Sequence, residues 1–93
     1  MIRSFRCSET ERIWQGRASR KFPPEIQDRA RERLRALDEA QDVEELREPP
    51  GNRLETLGGD RAGQWSIRIN RQWRVCFRWE ADGPHDVEIT DYH

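Results

Sequence analysis

Long apolar runs are missing from this sequence: nothing approaches the ~18 residues a membrane-spanning helix needs. The opening Met1–Ile2–Arg3–Ser4–Phe5–Arg6 likewise has no apolar core of signal-peptide length. Both absences point to a soluble, cytoplasmic protein with no membrane partner. Cysteine is scarce. Cys7 and Cys76 lie far apart without further cysteines between them, which excludes a disulfide scaffold and predicts two small buried or half-buried thiols in a reducing compartment. No metal-ligand spacing is formed, so neither a metal nor a cofactor is expected. Apolar residues are also few, 33% against 38% charged over 93 residues. A chain of this length has room for one domain, residues 1–93, with one lean core, and lean small folds gain stability from a partner.

Lysine is nearly absent as well: Lys21 is the single lysine among 17 basic residues. Arginine binds phosphate through a planar fork that lysine lacks, although high-GC codon usage produces the same skew. Net charge is −1, which argues against a general nucleic-acid binder. The charges are nevertheless segregated. Residues 38–48 hold Asp38, Glu39, Asp42, Glu44, Glu45 and Glu48 against Arg47 alone. Residues 53–78 hold Arg53, Arg61, Arg68, Arg71, Arg74 and Arg78 against Glu55 and Asp60, a local excess of six minus two, +4.

Periodicity divides the chain in two. Residues 1–7 read as a short strand, and Ser8–Glu9–Thr10–Glu11 as a capping box opening a short helix to about Gly16. After a basic loop, Pro23–Pro24 starts the main helix. Ile26, Ala30, Leu34 and Leu37 form its inward stripe, and Glu25/Arg29, Asp28/Arg31 and Glu32/Arg35 are charge pairs on a solvated face. Asp42 and Glu45 cap a further turn that Pro49–Pro50–Gly51 ends. From there the period becomes two. Arg53–Leu57 is an expected strand, joined through the Gly58–Gly63 loop to a hairpin. Trp65, Ile67 and Ile69, then Trp73, Val75, Phe77 and Trp79, alternate with polar residues around a turn at Asn70–Arg71–Gln72. Ala81–His85 reads as a loop and Val87–Glu88–Ile89 as the start of the last strand. The order predicts an α+β fold, a twisted antiparallel-rich sheet with two to three N-terminal helices on one face.

If the tryptophans and aliphatics face the helices, Arg68, Arg74 and Arg78 share the other face, where they either hold a phosphate chain or simply keep that face soluble. Trp65 and Trp73 are in phase with the core positions and are assigned to it rather than to base stacking. The Gly58–Gly63 loop lacks the Lys–Ser/Thr pair of a phosphate loop and is read as a strand connection. His85 is expected to be exposed and idle. The final Asp91–Tyr92–His93 supplies a carboxylate, a phenol and an imidazole. RNA scission by 2′-hydroxyl attack needs a proton acceptor, a donor for the leaving 5′-oxygen and a cation for the phosphorane, and these residue types with an arginine meet that need without a metal.

Pro49–Pro50–Gly51–Asn52–Arg53–Leu54–Glu55, Gly59–Asp60–Arg61–Ala62–Gly63–Gln64–Trp65–Ser66–Ile67–Arg68–Ile69–Asn70, Gln72–Trp73–Arg74–Val75–Cys76–Phe77, Val87–Glu88–Ile89 and Asp91–Tyr92–His93 together resemble the HigB toxin family, a branch of the RelE superfamily. The resemblance covers the whole chain. It implies a compact RelE-like fold and a type II toxin that cleaves mRNA on the ribosome without a metal. It also implies a helix-turn-helix, HigA-like antitoxin partner, with operator DNA reached only through the antitoxin complex. It implies further that Arg74 holds the scissile phosphate and that Asp91, Tyr92 and His93 complete the catalytic set. Arg53, Arg68, Arg71 and Arg78 are the expected RNA-binding residues. Two positions depart from some relatives, which carry His where this chain has Glu55 and Lys where it has Gly58. Those departures remove a candidate base and a phosphate contact. The rival from another class is a non-enzymatic toxin or repressor subunit on the same scaffold, for example a gyrase binder, for which the Asp91–Tyr92–His93 ending has no evident use.

Overall fold

The computed structural model describes residues 1–91. Its first helix, α1 (Ser8–Trp14), is capped by Cys7 with no side-chain hydrogen bond. The expected capping box is therefore not formed, because Ser8 lies inside the helix; Glu9 accepts from the Ser19 hydroxyl of the following loop at 2.6 Å. The second, α2 (Pro24–Glu39), begins with proline in its first turn, where the missing N–H would lack an intrahelical partner anyway. Ile26, Ala30, Leu34 and Leu37 are buried as the spacing predicts. Gln27 is buried beside them, accepting from Ser19 N and donating to Ser19 O and Phe22 O, which fastens the preceding loop to the helix. Of the three expected charge pairs, only Asp28–Arg31 (3.2 Å) forms among the described residues. Arg29 instead reaches the Ile69 carbonyl, so this face is not wholly solvated. Asp42 and Glu45 do cap the 3-10 turn at Val43–Arg47, accepting from Glu44 N (2.8 Å) and Gln41 N (3.0 Å).

Four antiparallel strands follow in simple meander order: β1 (Glu55–Thr56), β2 (Trp65–Arg68), β3 (Trp73–Glu80) and β4 (Gly83–Asp91). The β2–β3 connection works because Asn70 Oδ1 accepts from both Gln72 N and Trp73 N at 2.8 Å, closing the turn with a side chain. Three expectations change. The strand over Arg53–Leu57 shortens to two residues because Arg53 adopts a left-handed φ of 46° after the 3-10 turn at Pro50–Asn52. The last strand starts at Gly83 rather than Val87, since the chain reverses over Ala81–Asp82 and pairs at once, Glu80 opposite Gly83. Among the described residues the opening segment makes one bridge, Phe5 parallel to Val87, but Arg3 N, Ser4 O and Arg6 N all hydrogen-bond β4.

Ile67, Ile69, Val75, Phe77, Val87 and Ile89 meet Ile13 and the α2 stripe in one core. Trp65, Trp73 and Trp79 pack half-buried around it, Trp73 edge-on to Phe22 at 5.7 Å. Thr10 Oγ1, itself buried, accepts from Ile89 N and ties α1 to β4. Two helices thus cover one face of the sheet, leaving the other face for Ser66, Arg74, Cys76 and Thr90. Among the described residues no helix is long and apolar enough to cross a membrane.

Candidate active site

Strand register determines which side chains share the uncovered face. Arg68, Arg74 and Thr90 are cross-strand partners in one row, and Glu55, Ser66, Cys76 and Glu88 in the next. Paired residues point to the same side, so these seven form one array. Arg74 is on the expected face but not displayed to solvent as expected: only 9% of it is exposed. Its Nη1 donates to Ser66 Oγ at 2.8 Å and to Glu55 Oε2 at 3.2 Å. Both partners come from the neighbouring strands. β1 brings Glu55 over the guanidinium, and Arg61 of the glycine-rich loop reaches across to Glu88, Nη1 to Oε1 2.7 Å. That bond holds the Arg61 guanidinium above its ordinary pKa. Cys76 is buried beside the pair. Burial pushes its thiol up, against the opposing pull of the Thr90 hydroxyl at 3.1 Å and of the Arg61 charge.

Next to this array lies a cavity of about 350 Å³ lined by Leu57, Gly58, Arg61, Cys76, Thr90 and Asp91. The glycine-rich loop is thus a wall of the site as well as a strand connection. A side chain at position 58 would meet open space, so glycine there leaves the mouth of the cavity wide. Asp91 ends β4 opposite Trp73, exposed, and its Oδ2 accepts from Gln72 Nε2 at 3.0 Å. Tyr92 and His93 lie outside the described residues. Among the described residues no three His, Cys, Asp or Glu side chains gather as a metal site requires. The described part offers a buried, oriented guanidinium with two carboxylates at its margins. Such an array can bind a phosphodiester and exchange a proton with it.

Of the remaining arginines singled out from sequence, Arg53, Arg68 and Arg71 converge in a second cleft, joined there by Arg29 and Arg33 of α2. Arg78 is not brought to them. It is exposed, opposite His85 and 3.9 Å from Glu80, beyond a register shift in the β3–β4 ladder. His85 is half-buried rather than exposed: its Nε2 lies 2.6 Å from Asp82 Oδ1, which holds that carboxyl below its usual range. Sequence reasoning passed over Ser66, although its alternation with Arg68 marks its face. It weighed Glu55 only as a loss. The Arg61–Glu88 bridge joins separate segments through the fold, with no local pattern to announce it.

The chain matches over residues 3–93 the family described as HigB-like toxin, RelE-like toxin of type II toxin–antitoxin system HigB. It is 31% identical over 93 residues to "Endoribonuclease HigB" of Proteus vulgaris, covering 100% of both chains. It is 45% identical over 64 residues to "Toxin HigB-1" of Vibrio cholerae serotype O1, covering 69% of this chain and 66% of that protein. In structure it resembles a YoeB/ParE toxin from Agrobacterium tumefaciens with a TM-score of 0.56 at 19% identity, over 99% of this chain and 98% of that one, a likeness of fold alone.

Proposed function

We propose a ribonuclease toxin, on the premise that this chain belongs to the HigB-like family of RelE-like toxins of type II toxin–antitoxin systems. Membership implies an antitoxin partner. The proposed reaction is cleavage of mRNA in the cytoplasm, on the ribosome and without a metal. The observation that carries it is Arg74: a guanidinium nine-tenths buried on the uncovered sheet face, oriented by Ser66 and Glu55 beside an open cavity. Burying a charge is costly unless its site is built to hold it, and a guanidinium held this way is suited to a phosphate.

In this reading Arg74 takes the non-bridging oxygens of the scissile phosphate and steadies the added negative charge as the 2′-hydroxyl attacks phosphorus. The bond from phosphorus to the 5′-oxygen breaks, leaving a 2′,3′-cyclic phosphate and a 5′-hydroxyl. Glu55 occupies the position where some relatives place a His, and brings a carboxylate to the guanidinium that can take the 2′-hydroxyl proton. Asp91, Tyr92 and His93 complete the set, His93 or Tyr92 returning a proton to the leaving oxygen. Arg53, Arg68 and Arg71 line the approach, and Arg78 contributes charge at the far end of the sheet. A helix-turn-helix antitoxin of the HigA kind neutralises the toxin by covering the uncovered sheet face or by making a complex too bulky for the decoding site. Operator DNA is engaged through that complex only.

Primer extension on a defined mRNA, with and without ribosomes and with a chelator present, tests this. Discrete cuts that require ribosomes and survive chelation are expected. No cuts under any condition would remove the nuclease reading and leave a binding toxin.

A further inference from the structure

The second cleft, about 530 Å³, is lined by Arg29 and Arg33 of α2, Arg53, Arg68 of β2 and Arg71 of the β2–β3 turn. These five residues come from four separate segments, and among the described residues none of them makes an ion pair. The chain has 18 acidic residues, enough to pair with every base, so five guanidinium groups in one concavity without a described ion pair are not a by-product of composition. Three are held in place by backbone carbonyls. Arg33 Nε donates to Arg68 O at 2.8 Å, Arg68 Nε to Asn70 O at 3.0 Å, and Arg29 Nη1 to Ile69 O at 3.4 Å. Each such bond uses one of a guanidinium's five donors, leaving the rest for a ligand. Arg33 is half-buried next to Arg29, and desolvation together with that like charge lowers its pKa against the opposing pull of Glu32. Like charges brought together and partly desolvated oppose folding unless an anion completes them.

We infer that this cleft binds the phosphodiester backbone of RNA, with Arg29 and Arg33 as the helix-borne half of the site. The inference rests on the ribonuclease reading and extends it away from the scissile bond. Arg68 links the two regions, since its backbone pairs with Arg74 while it lines the cleft. An acidic protein segment is the less fitting ligand. Peptide docking relies on apolar anchors, whereas the one large apolar residue lining this cleft, Ile69, is itself only 2% exposed. The RNA could be message flanking the cut or a structured ribosomal segment, both of which present the same phosphates.

Equilibrium binding decides the matter, using three probes: a 2′-O-methyl single strand that cannot be cleaved, an RNA hairpin, and poly-glutamate. The variants are Arg29→Gln/Arg33→Gln and, because the first pair also bonds backbone, Arg53→Gln/Arg71→Gln, whose side chains make no hydrogen bond among the described residues. A single strand contributes a salt slope of about 0.7 per phosphate contact. Loss of two contacts should therefore make either variant's affinity fall about sevenfold less than the parent's between about 50 and about 200 mM salt. A reduced slope on the single strand assigns the cleft to message, and on the hairpin to structured RNA. Unchanged affinity and slope on both RNAs in the Arg53→Gln/Arg71→Gln protein would overturn the inference, as would a loss confined to poly-glutamate. Parent protein that binds RNA through this cleft yet never cuts mRNA would sink the nuclease reading and leave the cleft standing.

Discussion

At the scale of single residues, Arg74 serves the proposed chemistry and the sheet together. Removing its side chain leaves Ser66 without its described partner and a carboxylate facing an empty slot, and an unsatisfied buried group costs about 1–3 kcal/mol. Arg74→Ala should therefore abolish growth inhibition and also lower the urea midpoint. An unchanged midpoint would show that the Ser66 and Glu55 contacts carry no stability. Arg74→Lys keeps the charge but cannot reproduce the two-armed fork, and should remain deeply impaired. Glu55→Gln separates proton transfer from anchoring, since the amide oxygen can still accept from Arg74. Loss of a general base typically lowers rates about 10²–10⁴-fold. If single-turnover cleavage by Glu55→Gln stays within a few-fold of the parent, Glu55 only positions Arg74. The face that Arg74 occupies was legible from strand alternation, because alternation determines which side of the sheet a residue points to. Its burial was not, because Glu55 reaches it from β1, which no local period relates to position 74. Arg29 was read as part of a solvated helix face for the same reason: its carbonyl partner lies across the fold.

Among elements, the opening segment and the start of β4 depend on each other. Gly83 takes a φ of 122°, and a Cβ built there would lie 2.9 Å from the Met1 carbonyl oxygen. Both features exclude a side chain, one by backbone strain and the other by a clash with backbone. Gly83→Ala should therefore cost about 1–3 kcal/mol and should first raise amide exchange at Arg3 and Arg6, whose N–H groups bond to Pro84 and Val87. Uniform loss of protection across α2 as well would mean that the segment is no separate unit. Elements with a strong internal period were legible. The α2 stripe and the β2–β3 hairpin declare themselves by spacing alone. Boundaries were lost where conformation is decided by a few backbone angles: Arg53 truncates β1, and Asp86 at φ 53° marks the irregularity through which β4 continues toward Gly83. The Ser8 capping box failed because the helix starts one residue early, with Cys7 at the cap and Ser8 already inside, a one-residue shift that a four-residue motif cannot report.

For the whole molecule, one apolar cluster joins α1, α2 and three strands, while the opposite face is held by polar contacts among Arg74, Glu55, Ser66, Arg61 and Glu88. Stability on that face should depend on ionisation in a way that the apolar core does not. Cys76 gives a defined sign. Burial raises its folded pKa above the ordinary value of 9.0. As pH rises past about 9 the unfolded chain therefore releases this proton before the folded one does, and the unfolded state gains. The contribution of Cys76 is fully present below the unfolded value and is lost as pH rises through the raised folded value. One proton corresponds to at most about 1.4 kcal/mol per pH unit. Urea midpoints measured between about pH 7.5 and 10.5 should fall more steeply for the parent than for Cys76→Ala, with the two curves parallel below about pH 9 and converging above it. Because the core is continuous, tryptophan fluorescence and far-UV dichroism should report the same midpoint at each pH. Curves that stay parallel throughout would mean that the folded thiol ionises as readily as the unfolded one, and that solvent reaches the sheet face beneath the Arg61–Glu88 bridge.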